Sequence, residues 1–285
     1  MAVHKRSYHA YAGSLTPRWS RFLIVSRYAF ERSLSSKSLT SYFALCFSYP
    51  LGCALALYAN CNQRLLALFH ASSFFDVDAG FFFHFLAVQG FLAFILTAFV
   101  GPGLISPDLA NNALPLYFCR PLSRVEYVLG KMFVLLSLLS LITWVPGETL
   151  FLVQCSLAGT SWMSTNLWIM GSILLGSVIV IVVFSMLALA LSAWIKRRMA
   201  AGAALLGVFW FGSGLGQSLN VVLRTKKGYL LDLTSLLARV EEQLFRRPTR
   251  IGIPAADAWL VLVAFSVFCL LLLEKKVRAY EVVRG

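Results

Sequence analysis

Residues 167–195 read LWIMGSILLGSVIVIVVFSMLALALSAWI, a run with no charged side chain that ends against Lys196-Arg197-Arg198. A helix that crosses a bilayer needs about 20 mostly apolar residues. This run exceeds that need, and neither a strand nor a half-buried soluble helix explains it. It is therefore read as a spanning helix, and the rest of the chain is read outward from it.

Upstream, a third span is expected from Lys131 to near Cys155, over residues 131–155. Residues 79–107 carry no Asp, Glu, Lys or Arg, which places a second span at 81–100. The Gly101-Pro102-Gly103 triplet is expected to end it, because these residues propagate a helix poorly. No charge occurs between Lys37 and Arg64, so the first span covers 39–59. Downstream, the fifth covers 199–223, and the sixth covers 256–273, stopping at Glu274-Lys275-Lys276. The fold class that follows is an all-α integral membrane protein of six transmembrane helices. Its organisation is a 1–38 N-terminal segment followed by a six-span domain over 39–285.

Composition agrees. Of 285 residues, 59% are hydrophobic and only 13% charged, whereas soluble domains run nearer a quarter charged. Twenty-five Lys and Arg against 12 Asp and Glu give a net charge of +13. On a soluble chain this would suggest nucleic acid. Here no soluble stretch carries a basic stripe with interleaved aromatics, so no nucleic-acid partner is expected. Basic residues mark cytoplasmic loops instead. With the N-terminus inside, inward segments hold 17 Lys and Arg and outward loops 8, which predicts both termini in the cytoplasm. The basic loop 224–250 opposes that bias but must lie outside in an even-span topology. The first 37 residues hold seven basic residues and no clean apolar stretch, so the first span is expected to serve as the insertion signal.

Three connecting segments carry pattern of their own. Residues 18–37 place Trp19, Phe22, Leu23, Phe30 and Leu34 near one face, as a helix lying in the cytoplasmic interface would, or as a plain lead-in to the first span. Residues 232–245 place Leu233, Leu236, Leu237, Val240 and Leu244 at helical spacing, with Arg239, Glu241, Glu242 and Gln243 largely elsewhere. This predicts an external amphipathic helix packed on the membrane face or on the spans. Between spans two and three, Ser106-Pro107-Asp108 reads as a helix start, with Ser106 the cap, and Pro115 as the stop after Leu114. Ser123-Arg124-Val125-Glu126 reads as a capping box opening a helix into the third span.

Chemistry-bearing motifs are few. G-x-x-x-x-G-K-[ST], H-E-x-x-H and G-x-S-x-G do not occur, so no ATP hydrolysis of its own and no other catalysis is expected. Six cysteines form no C-x-x-C pair and four histidines show no ligand spacing, so neither metal nor cofactor is expected. Glu148 is the one acidic residue inside an apolar run, just after Pro146-Gly147. A broken helix beside a carboxylate suits a transport pathway, making Pro146, Gly147 and Glu148 candidate pathway residues. The alternative places Glu148 near the outer surface. Gly207, Gly212 and Gly216 give the fifth span a small-residue face, for packing within the chain or across a dimer.

The stretches GLISPDL (103–109), ALPLY (113–117) and RPLSR (120–124), with Tyr127 and Gly130-Lys131, resemble the first cytoplasmic loop of ABC-2-type transporter permeases. Trp19 and Arg21 with Arg27-Tyr28 near the start, and Val277-Arg278-Ala279 with Glu281-Val282-Val283 at the end, are also similar. The resemblance implies the membrane-spanning subunit of an ATP-driven exporter in the bacterial inner membrane, paired with a second permease copy. ATP would be bound and hydrolysed by a separate P-loop ATPase subunit docked on a coupling loop that holds Ser106, Asp108, Leu109, Leu114, Tyr117, Arg120, Pro121 and Arg124. The 18–37 helix would be the connecting helix. On the residues alone, an ion-coupled secondary transporter and a non-transporting scaffold subunit remain open.

Overall fold

The computed structural model describes residues 20–62, 75–114, 117 and 123–278. Among them the chain is helical throughout, in ten α-helices and one 3-10 turn: α1 (Arg21–Leu34), α2 (Lys37–Cys61), α3 (Ala79–Val100), α4 (Pro102–Ala110), α5 (Arg124–Ile142), α6 (Trp144–Ala158), α7 (Thr160–Trp194), α8 (Arg198–Val222), a turn over Lys227–Leu231, α9 (Leu233–Leu244) and α10 (Ala255–Arg278). Six segments are long and apolar enough to cross a membrane: α2, α3 with α4, α5 with α6, α7, α8 and α10. This is the build of a multi-pass membrane protein.

The helix read first is the centre of the bundle. Of the apolar stretch in α7, 72% is buried, against 17% in α2 and 22% in both α8 and α10. α3, α4, α5, α6, α8, α9 and α10 all pack on α7. Two tryptophans on α7 carry a cation over the ring: Arg246 lies 4.4 Å from the centroid of Trp168, and Lys276 5.1 Å from that of Trp194. At 1.5 Å per residue these rings stand about 39 Å apart along the axis, close to the thickness of a bilayer with its headgroups. Tryptophan favours that interface. The first turns of α7 stand beyond it.

Two breaks fall elsewhere than the residue pattern suggests, while a third falls where it is expected: α3 ends at Val100, before Gly101-Pro102-Gly103, and α4 follows at once. Gly101 keeps right-handed helical angles (φ −53°, ψ −49°) and Pro102 takes the first position of α4, where a missing N–H costs nothing. Only glycine fits at 101, since a Cβ there would lie 2.6 Å from Ala188 Cβ on α7. Ser106 is consequently no cap but a buried residue inside α4, which ends at Ala110 instead of Leu114. The third span breaks at Thr143, before Pro146, and Gly147 and Glu148 lie inside α6. A proline ring clashes with the carbonyl four residues back, here that of Ile142, so the fault sits one turn upstream. The capping box at Ser123 and Glu126 is present as expected, with Ser123 N–H to Glu126 Oε2 at 2.6 Å and Glu126 N–H to Ser123 Oγ at 3.2 Å.

The amphipathic helix α9 packs on the spans. Leu233, Leu236, Leu237 and Val240 are buried against α7, α8, α10 and α3, but so are Glu241 and Glu242. The helix is covered on more than its apolar stripe. It reaches that position because the chain turns back after Val222. Leu231 and Gly228 lie against Gly212 and Gly216 of α8, so the turn runs about 9 to 15 Å back along that helix. A Cβ on Gly212 would lie 2.8 Å from the Leu231 carbonyl oxygen, and one on Gly216 2.6 Å from that of Gly228. These two glycines therefore serve packing within the chain; Gly207 meets only Phe211 of its own helix.

At the other end of the chain α1 packs chiefly on α5, with buried Ser26 donating to the Gly130 carbonyl at 2.8 Å. Ala29 and Phe30 are half-buried, while Leu23 and Ile24 stay uncovered. Trp19 and the side chains of Phe22 and Leu34 fall outside the described residues.

Candidate functional site

The loop that carries the resemblance folds into a small hub around α4. Another span reaches the backbone near the start of α4: the Ile105 and Ser106 amides both donate to Ser192 Oγ of α7, at 3.1 and 2.9 Å. Ser192 Oγ in turn donates to the Pro102 carbonyl at 3.1 Å. Ser106 Oγ is 2.7 Å from the Ile195 carbonyl and 3.0 Å from that of Ser192, at the end of α7. Two serines thus splice the start of α4 onto the finish of α7.

Two residues further on, about half a turn, Asp108 points the other way, into α5. Its Oδ2 accepts from Tyr127 at 2.7 Å and pairs with Lys131 Nζ at 2.8 Å. Tyr127 and Lys131 are four apart, so one face of α5 presents both. All three are buried: Asp108 is 8% exposed, Lys131 6% and Tyr127 not at all. The ammonium also lies 5.4 Å from the Tyr127 ring centroid and 5.9 Å from that of Tyr117, and the two rings are 5.4 Å apart. A buried ion pair is a weak source of stability but a strong constraint, because a lone charge left behind is costly. Arg198, opening α8, completes the hub by donating to the Phe99 carbonyl at 2.9 Å, near the end of α3. Side-chain bonds therefore join α4 to α5 and α7, and α3 to α8.

Of the residues expected in the coupling loop, Ser106, Asp108, Leu109 and Leu114 are buried inside this chain. Tyr117 packs on Tyr127, and Arg124 is half-buried as the first residue of α5. Arg120 and Pro121 lie outside the described residues. The uncovered positions are Ala110, Asn111 and Asn112 after α4, and Ser123 and Val125 at the entry to α5. Asn112 takes a left-handed conformation (φ 49°), which asparagine tolerates better than most residues.

Pro146, Gly147 and Glu148 are not part of the hub. Gly147 packs where a Cβ would lie 2.9 Å from Ile173 of α7 and 3.3 Å from Phe85 of α3. Ile173 stands about 28 Å from Ser192 along α7. Glu148 is half-buried, and its buried Oε2 has no hydrogen-bond partner among the described residues. Among the described residues, no group of His, Cys, Asp and Glu is placed to hold a metal ion.

Residue patterns alone missed Ser192 and Arg198 as hub residues. Ser192 looks like one more small residue in an apolar run. Lys131 was legible in part: it and Asp108 are the lone charges bounding two apolar runs, and such charges are candidates to meet. No known family model matches the chain, and no curated protein matches it.

Proposed function

We propose that this chain is the membrane-spanning permease subunit of an ATP-driven exporter, working with a separate P-loop ATPase subunit and a second copy of itself. The observation that carries the reading is the hub. The segment resembling a permease coupling loop is bonded to two spans and buries the charge of Asp108, leaving uncovered, among the described residues, Ala110–Asn112, Ser123 and Val125. A rigid element with a small free face suits force transmission from a docked partner. A push on α4 would reach α5 through Asp108 and α7 through Ser192. On this reading the α4 end faces the cytoplasm of a bacterial inner membrane, both termini lie there, and α1 is the connecting helix. The substrate pathway runs by Pro146, Gly147 and Glu148.

The partner-facing residues are then Asn111 and Val125, not Asp108, whose carboxylate is spent inside the chain. Purification of the tagged protein from its host in mild detergent tests this. A stoichiometric P-loop ATPase should accompany the wild type and be lost from Asn111→Arg with Val125→Glu, while the permease itself stays folded. A wild-type chain that purifies alone, under conditions that keep other membrane complexes intact, would refute the permease reading and favour a secondary transporter or a scaffold.

A further inference from the structure

At the end of the bundle remote from α4, an open groove of about 710 Å³ lies between α2, the start of α3 and Arg247. It runs along one face of α2, from Tyr49 past Gly52 and Cys53 to Ala56, about 10 Å along the helix. At its outer end stand Asp76 and Asp78, just before α3. The walls are aromatic: Phe75 and Phe81 stack with centroids 5.7 Å apart, and Tyr49 stacks on Phe85 at 5.8 Å.

Among the described residues the charges at the mouth do not cancel. Asp78 uses Oδ1 to cap α3, accepting the Phe81 N–H at 3.1 Å, and its Oδ2 lies 3.6 Å from Arg247 Nη1. Asp76 has no hydrogen bond or ion pair among the described residues, so one carboxylate is left over. An aromatic-walled groove with an unmatched carboxylate at the wet end is the chemistry that recognises ammonium groups: the carboxylate supplies charge and the ring faces supply cation–π attraction. The lower groove, beside Gly52, has room and little polarity. A Cβ on Gly52 would meet nothing within 4 Å.

We propose that this groove binds an amphiphile with a cationic, ammonium-type headgroup, the head held by Asp76 and the aromatic walls and the apolar chain lying along α2 toward Tyr49. The site stands whether or not the chain is an exporter. Its test uses the full chain in nanodiscs of phosphatidylglycerol, which carries no ammonium, with radiolabelled dodecyltrimethylammonium as probe and empty nanodiscs subtracted. Wild type should bind saturably, with dodecyl sulfate a poor competitor. Asp76→Asn should weaken binding about fivefold, the order expected for one partly exposed ion pair. Gly52→Leu fills the groove without a clash and should abolish saturable binding. Bound probe should also slow labelling of Cys53, which lines the groove, by a small thiol reagent while leaving Cys155 on α6 unaffected. Equal competition by dodecyl sulfate, or wild-type binding by both variants, would overturn the proposal.

Discussion

Two buried acids, one at each end of the bundle, have opposite surroundings. Asp108 meets an ammonium and a phenol on a single oxygen. Glu241, on α9, has neither: no hydrogen bond or ion pair satisfies it among the described residues, and it packs beside Gly176 of α7, with Leu86 and Leu244 near the same spot. Its neighbour Glu242 takes the available partners, with Arg239 at 3.9 Å and the Arg250 amide at 3.3 Å. Burial alone pushes the Glu241 carboxyl up from 4.5 to about 8, so it is held mostly neutral at pH 7. The α4 end is thus locked by charge, and the α9 end by packing around a protonated acid. The first lock should fail on substitution; the second should tolerate a neutral isostere and respond to pH.

The largest effect is expected at the charge lock. Lys131→Met strands the Asp108 carboxylate, and Asp108→Asn strands the ammonium. Each should destabilise the protein by about 3–5 kcal/mol, read as thermal unfolding in detergent. Retention of the wild-type midpoint by either variant would break the comparison. Next comes Ser192→Ala, which removes the hydroxyl that the Ile105 and Ser106 amides meet. A loss of about 1–3 kcal/mol is expected, together with faster hydrogen exchange confined to 102–110. Exchange that rises evenly along the chain would mean that Ser192 is not specific to α4.

The smallest effect is at Glu241, and it lies in the pH profile. Its folded pKa is above the unfolded one, so the folded state holds the proton to higher pH. The stability that proton confers is fully present below about pH 4.5 and is lost progressively as pH rises through about 8. Glu241→Gln should match wild type at pH 5, exceed it at pH 8.5, and flatten the midpoint-versus-pH curve between them. Parallel curves for the two proteins would show that Glu241 finds a partner the comparison denies it.

Much of the scaffold is legible in the sequence, because charges bound each apolar run. Lys37, Asp78 and Lys196–Arg198 stand at ends of spans that do form, though α7 begins at Thr160, seven residues before the expected 167. The Leu233–Leu244 stripe and the Ser123 capping box are local patterns, and local patterns survive folding. What was not legible depends on the neighbour. α4 follows α3 without a loop because Ala188 leaves room for a glycine at 101 and no more. Glu241 looks like a solvent-facing residue until the turn at Lys227–Leu231 draws α9 back along α8. Ser192 reaches the backbone of α4 only when two elements almost ninety residues apart meet. Asp108 was recognised as important, but the side chains that hold its carboxylate, Tyr127 and Lys131, lie nineteen and twenty-three residues on, beyond the reach of a local pattern.

The central claim is that α4 is fastened to the third span by Asp108 and Lys131, and a double-mutant cycle tests it most directly. Unfolding free energies would be measured for wild type, Asp108→Asn, Lys131→Met and the double variant. Strong non-additivity is expected: the double variant strands no charge and should be more stable than either single, so the coupling energy should exceed about 3 kcal/mol. Additive losses, with a coupling energy near zero, would show that the two side chains act independently and that the hub does not join α4 to the span.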